Sequence, residues 1–192
     1  MKKVGVLALQ GDFEAHARAL ERAGAQAVEA RTAADLQDLD GLVIPGGEST
    51  TMLKLLNREN MVEPLAQFGH ERPIFGTCAG AILMASEVTS PVQQSLHLMD
   101  IAVERNAYGR QIDSRVAHLS PETEFENRTH PGELEAVFIR APIIQRVGPG
   151  VRVLATYQGD PVLVEQGKHL VATFHPELTQ DARVHELFLA KL

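Results

Sequence analysis

The sequence predicts an α/β fold of three layers, α/β/α, around a mostly parallel central sheet, with extra, partly antiparallel strands in its second half. Three observations carry this. The first half alternates short β-branched apolar runs with amphipathic stretches at helical spacing, the pattern of a parallel sheet covered on both faces. The second half has shorter strand-like runs with little helix between them. Three loops rich in glycine or proline each follow an apolar strand, and in an open sheet such loops converge on one crevice.

The elements follow in order. "KVGVLAL" (3–9) reads as a buried parallel strand. Gly11 turns the chain and Asp12 can cap the helix that follows, on which Phe13, His16, Ala17, Leu20 and Ala23 share one face. Gly24 stands where that helix would stop. "AQAVEA" is a second strand, "DLQDLD" a short helical or turn segment, and "GLVI" (41–44) a third strand. "TMLKLLN" and "MVEPLAQF" read as helix interrupted near Asn60. "PIFG" (73–76) is a fourth strand and "AGAILMA" (79–85) a helix. Beyond these, "LHLMDIAVERN", "SRVAHL", "EAVFI", "VRVLATY", "PVLVEQG" and "HLVATF" read as strands, and "DARVHELFLAKL" as a terminal amphipathic helix. The polar stretch at 120–133, "SPETEFENRTHPGE", reads as an exposed loop.

With 192 residues the chain suits one domain, 1–192, able to bury a core without disulfides or metals. A net charge of −7 argues against nucleic acid and anionic membrane as partners, since both reward a basic face. The single cysteine, Cys78, excludes an internal disulfide and a cysteine-based metal site. The apolar run near the start is too short for a signal peptide and no stretch is long enough for a membrane span, so a cytoplasmic location is expected. Nothing calls for a cofactor or a metal.

Chemistry concentrates in the three loops. "GTCAG" (76–80) holds Cys78 between a strand and an alanine-rich helix. A nucleophile on such a turn is lifted out of the sheet, at a helix N-terminus that favours thiolate, with the amides just beyond it able to hold an oxyanion. A buried cysteine in a small-residue turn fits the local string equally well. "FHPE" (174–177) supplies a base, His175, and an orienting carboxylate, Glu177, although a glutamate two residues after a histidine is common by chance. The other histidines, His16, His70, His97, His118, His130, His169 and His185, lack this neighbour pattern and read as structural or exposed. "PGGEST" (45–50) brings backbone amides close to a ligand, for a phosphate or an oxyanion, and Ser49 or Thr50 can cap the next helix. It lacks the lysine and spacing of a P-loop.

Together the three loops resemble a class I, triad-type glutamine amidotransferase. "GVLALQGD", "GLVIPGGESTTM", "FGTCAG", "ERNAYGRQ", "FIRAP" and "FHPELTQD" narrow the likeness to the glutaminase subunits of pyridoxal 5′-phosphate synthase, from first strand to last helix. The resemblance implies a flavodoxin-like class I glutaminase fold. It implies hydrolysis of L-glutamine to glutamate and ammonia, with the ammonia delivered to a synthase subunit. That subunit makes the vitamin from a pentose phosphate and a triose phosphate, in a large hetero-oligomer with one glutaminase per synthase subunit. Cys78 is then the nucleophile, His175 the general acid/base and Glu177 its partner, with the amides of Gly47 and Ala79 at the oxyanion. Gly47, Glu48, Ser49, Arg105, Ile139 and Arg140 match the glutamine contacts, and a guanidinium fork suits an amino-acid carboxylate. The stretch 120–133 is longer than the family's usual connection, and is the one departure.

There are three rivals. One is the glutaminase subunit of another amidotransferase, such as the one feeding imidazole-glycerol-phosphate synthesis. A second is a cysteine hydrolase or stress protein of the related α/β group with an elbow cysteine, against which the late His-Pro-Glu loop and the glutamine-contact arginines argue. The third is a non-catalytic regulatory module. "PGGESTTM" and "RNAYGRQ" favour the vitamin pathway, and the intact Cys78, His175 and Glu177 argue against a module that has lost activity.

Overall fold

The computed structural model describes residues 1–106 and 114–192. The first half runs β1 (Lys3–Leu7), α1 (Phe13–Arg22), β2 (Gln26–Ala30), a 3₁₀ turn (Ala33–Leu36), β3 (Gly41–Ile44), α2 (Ser49–Arg58), α3 (Val62–Glu71), β4 (Ile74–Thr77) and α4 (Ala79–Met84). The second half runs β5 (Ala85–Thr89), β6 (Met99–Glu104), β7 (Arg115–Leu119), α5 (Thr123–Arg128), β8 (Leu134–Phe138), β9 (Ile143–Val147), β10 (Arg152–Tyr157), β11 (Asp160–Gln166), β12 (His169–Ala172), a 3₁₀ turn (Pro176–Leu178) and α6 (Arg183–Leu189).

Among the described residues, the main sheet has the order β10-β11-β12-β4-β3-β1-β2. Its pairs from β2 through β12 are parallel, and β11 and β10 extend it antiparallel. The parallel strands are buried on both faces, which is why they read as continuous apolar runs. In β3, Leu42 and Ile44 face a core with Met52, Leu56, Leu65 and Phe68 of α2 and α3. Val43 faces the opposite core, with Leu20 of α1 and Val184, Leu187 and Phe188 of α6. A smaller sheet, β5-β6-β9, and a hairpin, β7-β8, supply the mixed second half.

Several local expectations are corrected. The stretch at 120–133 is no open loop. It contains α5, whose Phe125 is fully buried among Phe138 and Phe174. That one ring anchors a helix whose other positions are polar, so periodicity could not reveal it; its burial contributes about 1.5–3 kcal/mol. Arg183 fastens the same stretch, donating to the carbonyls of His130, Gly132 and Glu133 while its guanidinium lies 5.6 Å from the Phe125 ring centroid. Asp12 stands at the N-cap of α1 without a side-chain capping bond. The buried face of α1 is formed by Ala15, His16, Ala19 and Leu20, turned slightly from the predicted stripe. Cap duty on α2 falls to Glu48 rather than to Ser49 or Thr50.

Candidate active site

The three loops meet at the carboxyl ends of β3, β4 and β12. These strands are hydrogen-bonded neighbours in the order β12-β4-β3, so loops far apart in sequence leave the sheet side by side. They line a cavity of about 430 Å³, within the range of small-ligand sites.

Cys78 sits at its floor, only 7% exposed. It occupies the N-cap of α4 with φ 50° and ψ −105°, a backbone conformation that costs a non-glycine residue energy and persists only where surrounding structure enforces it. Two contacts enforce it here. The Cys78 amide donates to Ala172 O at 2.9 Å, tying the turn to β12. Gly80 packs α4 against β3 so closely that a Cβ there would collide with the Ile44 carbonyl. Strain concentrated at one buried thiol favours chemistry over packing. The sequence predicts a side chain lifted into the open; the structure instead sets it at the bottom of the pocket.

His175 follows β12 and its amide donates to Val137 O at 2.8 Å. Its Nδ1 lies 2.7 Å from Oε1 of Glu177, whose side chain is fully buried, and Pro176 begins the 3₁₀ turn between them. Burial pulls the His175 pKa down, but hydrogen bonds to Cys78 and Glu177 outweigh it and hold the imidazole at about 10. The structure thus brings Cys78 and His175 to one pocket, with Glu177 behind His175. A residue the sequence did not single out, Gly46, lies between Cys78 and His175. A Cβ there would stand 2.5 Å from His175 Cε1 and 3.3 Å from Cys78 Cβ.

The rest of the pocket brings together the predicted contacts. Gly47, Ser49 and Ala79 line it on the α2 and α4 side, and Arg105, Ile139 and Arg140 on the other. Glu48 also lines it, with its carboxylate turned to the start of α2, accepting from the amides of Thr50 at 3.0 Å and Thr51 at 2.8 Å and from the Thr51 hydroxyl. The Thr51 hydroxyl, ahead of the backbone donors, lowers the Glu48 pKa to about 2 against a modest burial effect. The Glu48 amide donates to Gln10 Oε1 at 3.0 Å. Arg105 Nη2 donates to Thr50 Oγ1 at 2.5 Å, and Ser49 Oγ to Gln93 Oε1 at 3.3 Å. Ile139 presents its carbonyl 4.0 Å from Cys78 Sγ, and Arg140 holds φ 45°. The remainder of "ERNAYGRQ", at 107–111, lies outside the described residues.

Sequence reasoning also missed His16. It is fully buried, and its Nε2 lies 3.3 Å from Glu177 Oε2 and 3.0 Å from Thr77 Oγ1, while its Nδ1 lies 3.0 Å from His185 Nε2. Burial chiefly, then His185 and His175, lower its pKa well below the usual imidazole value, so it is neutral. A histidine at helical spacing gives no signal of a contact so far along the chain.

Comparison with known proteins identifies a family. The model of the SNO glutamine amidotransferase family matches residues 6–192. A protein of Solibacter usitatus (strain Ellin6076), pyridoxal 5′-phosphate synthase subunit PdxT, is 69% identical over 192 residues, covering 100% of both chains. The subunit of that name from Koribacter versatilis (strain Ellin345) is 57% identical over 187 residues, covering 97% of this chain and 94% of the relative. A solved glutamine amidotransferase superposes with a TM-score of 0.88 at 46% identity, covering 98% of this chain and 97% of the other. The chain thus belongs to the SNO glutamine amidotransferase family.

Proposed function

We propose that this chain is the glutaminase subunit of a pyridoxal 5′-phosphate synthase. It hydrolyses L-glutamine to L-glutamate and ammonia for vitamin B6 biosynthesis, with 1–192 acting as one glutaminase domain. The observation that carries the reading is the strained Cys78 turn beside a His175 whose Nδ1 is held 2.7 Å from a buried Glu177.

In this mechanism the Cys78 thiolate attacks the glutamine Cδ. The Gly47 and Ala79 amides stabilise the tetrahedral oxyanion; losing one such donor costs about 3–4 kcal/mol. The intermediate collapses to a thioester as His175 protonates the departing ammonia. His175 then takes a proton from water, whose attack releases glutamate and the thiol. Glu177 keeps the Nδ1–H of His175 directed away from the thiol throughout, so that Nε2 does the chemistry. Arg105 and Arg140 meet the α-carboxylate of the substrate, with Glu48, Ser49 and Ile139 completing its seat.

Free ammonia would be lost to bulk water. We therefore place the synthase subunit over the active-site face, in a large cytoplasmic hetero-oligomer with one glutaminase per synthase subunit, its docking completing the oxyanion hole by a population shift. Glutamate release measured with and without the synthase subunit tests this; equal rates would count against partner activation. For the chemistry itself, an electrophilic glutamine analogue should label wild-type Cys78, while Cys78→Ala should keep its fold and lose all turnover. Full turnover by that variant would end the assignment.

A further inference from the structure

Behind Glu177 lies a second buried layer that the triad does not use. His16 on α1 and His185 on α6 are both fully buried, and both pack on the Phe75 ring, with centroids 6.2 Å and 5.6 Å from it. An apolar pair would fill this space at no cost in desolvation, so two buried imidazoles require a reason.

The protons can be arranged in two ways. With the proton on His16 Nδ1, His185 Nε2 accepts it, and His185 must then carry its own proton on Nδ1. That atom is buried and has no hydrogen-bond partner among the described residues. His16 Nε2 would also turn a lone pair on Glu177 Oε2, 3.3 Å away. With the proton on His16 Nε2, His185 Nε2–H donates to His16 Nδ1. His185 Nδ1 is then left as a lone pair, a less costly orphan than a buried N–H. The His16 N–H lies between Thr77 Oγ1 at 3.0 Å and Glu177 Oε2 at 3.3 Å. Glu177 Oε2 has no hydrogen-bond partner among the described residues, and this N–H approaches it to 3.3 Å. The charged groups nearby agree with neutral rings. Burial first, and then Arg22, bring the His185 pKa to about 3, while His175 is the cation that faces the other oxygen of Glu177.

We propose that His16 is a positioning residue for the glutamine reaction: its Nε2–H, fixed by His185, steadies the Glu177 carboxylate and thereby the tautomer and orientation of His175. The role rests on the glutaminase reading of the same site. It extends the chain Cys78–His175–Glu177 to α1 and α6, on the far side of the sheet from α2.

Two variants separate this from simple packing. His16→Gln keeps an N–H donor near the Nε2 position; His16→Leu keeps the volume and removes the donor. Both are assayed for glutamate release with the synthase subunit present, and for alkylation of Cys78 by iodoacetamide at neutral pH. His16→Leu is expected to lose about 10- to 100-fold in kcat, as for outer-shell partners of metal ligands, with KM changed less than about threefold. Its alkylation should slow about tenfold as the thiolate–imidazolium pair weakens. His16→Gln should recover most of both. A folded His16→Leu protein with wild-type turnover and alkylation overturns the proposal, as does a His16→Gln protein no better than His16→Leu. Should His16→Leu fail to fold, His185→Phe replaces it, since it leaves His16 in place but frees its tautomer; an unchanged kcat and alkylation rate there is equally decisive against the role. Absence of turnover in the wild-type complex would instead end the glutaminase reading, while the alkylation comparison would still decide the role of His16.

Discussion

The floor and the rim of the cavity are built differently. At the floor, Cys78, His175 and Glu177 are buried, enforced by backbone contacts to β12 and β8, with His175 hydrogen-bonded to Glu177. At the rim, Glu48 is exposed and caps a helix, Arg105 leans on Thr50, and Ile139 is 39% exposed. The reacting groups are held by the core, whereas the recognising groups are held by polar contacts between loops and the start of α2. Such a division suits an enzyme whose triad is fixed in the core while its substrate seat lies nearer the surface, because surface-held groups can be rearranged without repacking the sheet.

The difference can be broken from the floor upward. Glu177→Gln removes the charge behind His175 while keeping shape; kcat should fall about 10³–10⁴-fold, by analogy with the orienting carboxylate of serine proteases. The same variant tests the electrostatics. The raised His175 pKa means that its folded-state stabilisation is fully present below pH 6.5 and is lost as pH rises through about 10. Glu177→Gln should move that upper limb of the stability profile towards lower pH, and an unmoved limb would show that Glu177 does not hold the imidazolium. Next, Gly46→Ala drives a Cβ to 2.5 Å from His175 Cε1 and should cost about 10²-fold in kcat with the fold retained by circular dichroism.

Rim changes should be milder and of another kind. Arg105→Ala is expected to raise KM for glutamine about 10- to 100-fold, the worth of a charge-assisted contact, with kcat nearly unchanged. A fall in kcat alone would place Arg105 at the floor instead. The smallest effect belongs to Glu48→Gln. It weakens the α2 cap by about 1 kcal/mol, read as a lowered Tm. Because the Glu48 pKa is depressed to about 2, its contribution is present above pH 4.5 and fades as pH falls through about 2. The Tm difference between wild type and variant should therefore shrink in acid.

The floor was far more legible in the sequence than what supports it. "GLVI", "PIFG" and "HLVATF" each announce a strand, and each runs into a loop whose glycine or proline carries a stated geometric demand, so the site could be assembled from three short strings. The β5 and β9 strands were not legible, since "ASEVT" follows α4 without a turn and "IIQRV" is short and half exposed. Nor was α5, whose sequence is polar apart from Phe125. His16 escaped for a different reason. At helical spacing a buried histidine and a buried alanine look alike, and only the crossing of α1 behind the 3₁₀ turn brings its ring to Glu177. The capping of α2 by Glu48 was equally hidden, because serine and threonine beside it are the commoner caps.

One backbone hydrogen bond has a consequence for how this protein can vary. Cys78 N–H to Ala172 O continues the ladder in which Thr77 faces Ala172, so the nucleophile leaves one strand, one residue past its end, and the base leaves the neighbouring strand, three residues past its end. The two strands that carry them lie about 4.8 Å apart, as a pair of pegs is set by a drilled plate. A slip of one residue between β4 and β12 would turn both side chains to the wrong faces. Insertions are therefore excluded between Ala172 and His175, where a single added residue would throw the jig out of true.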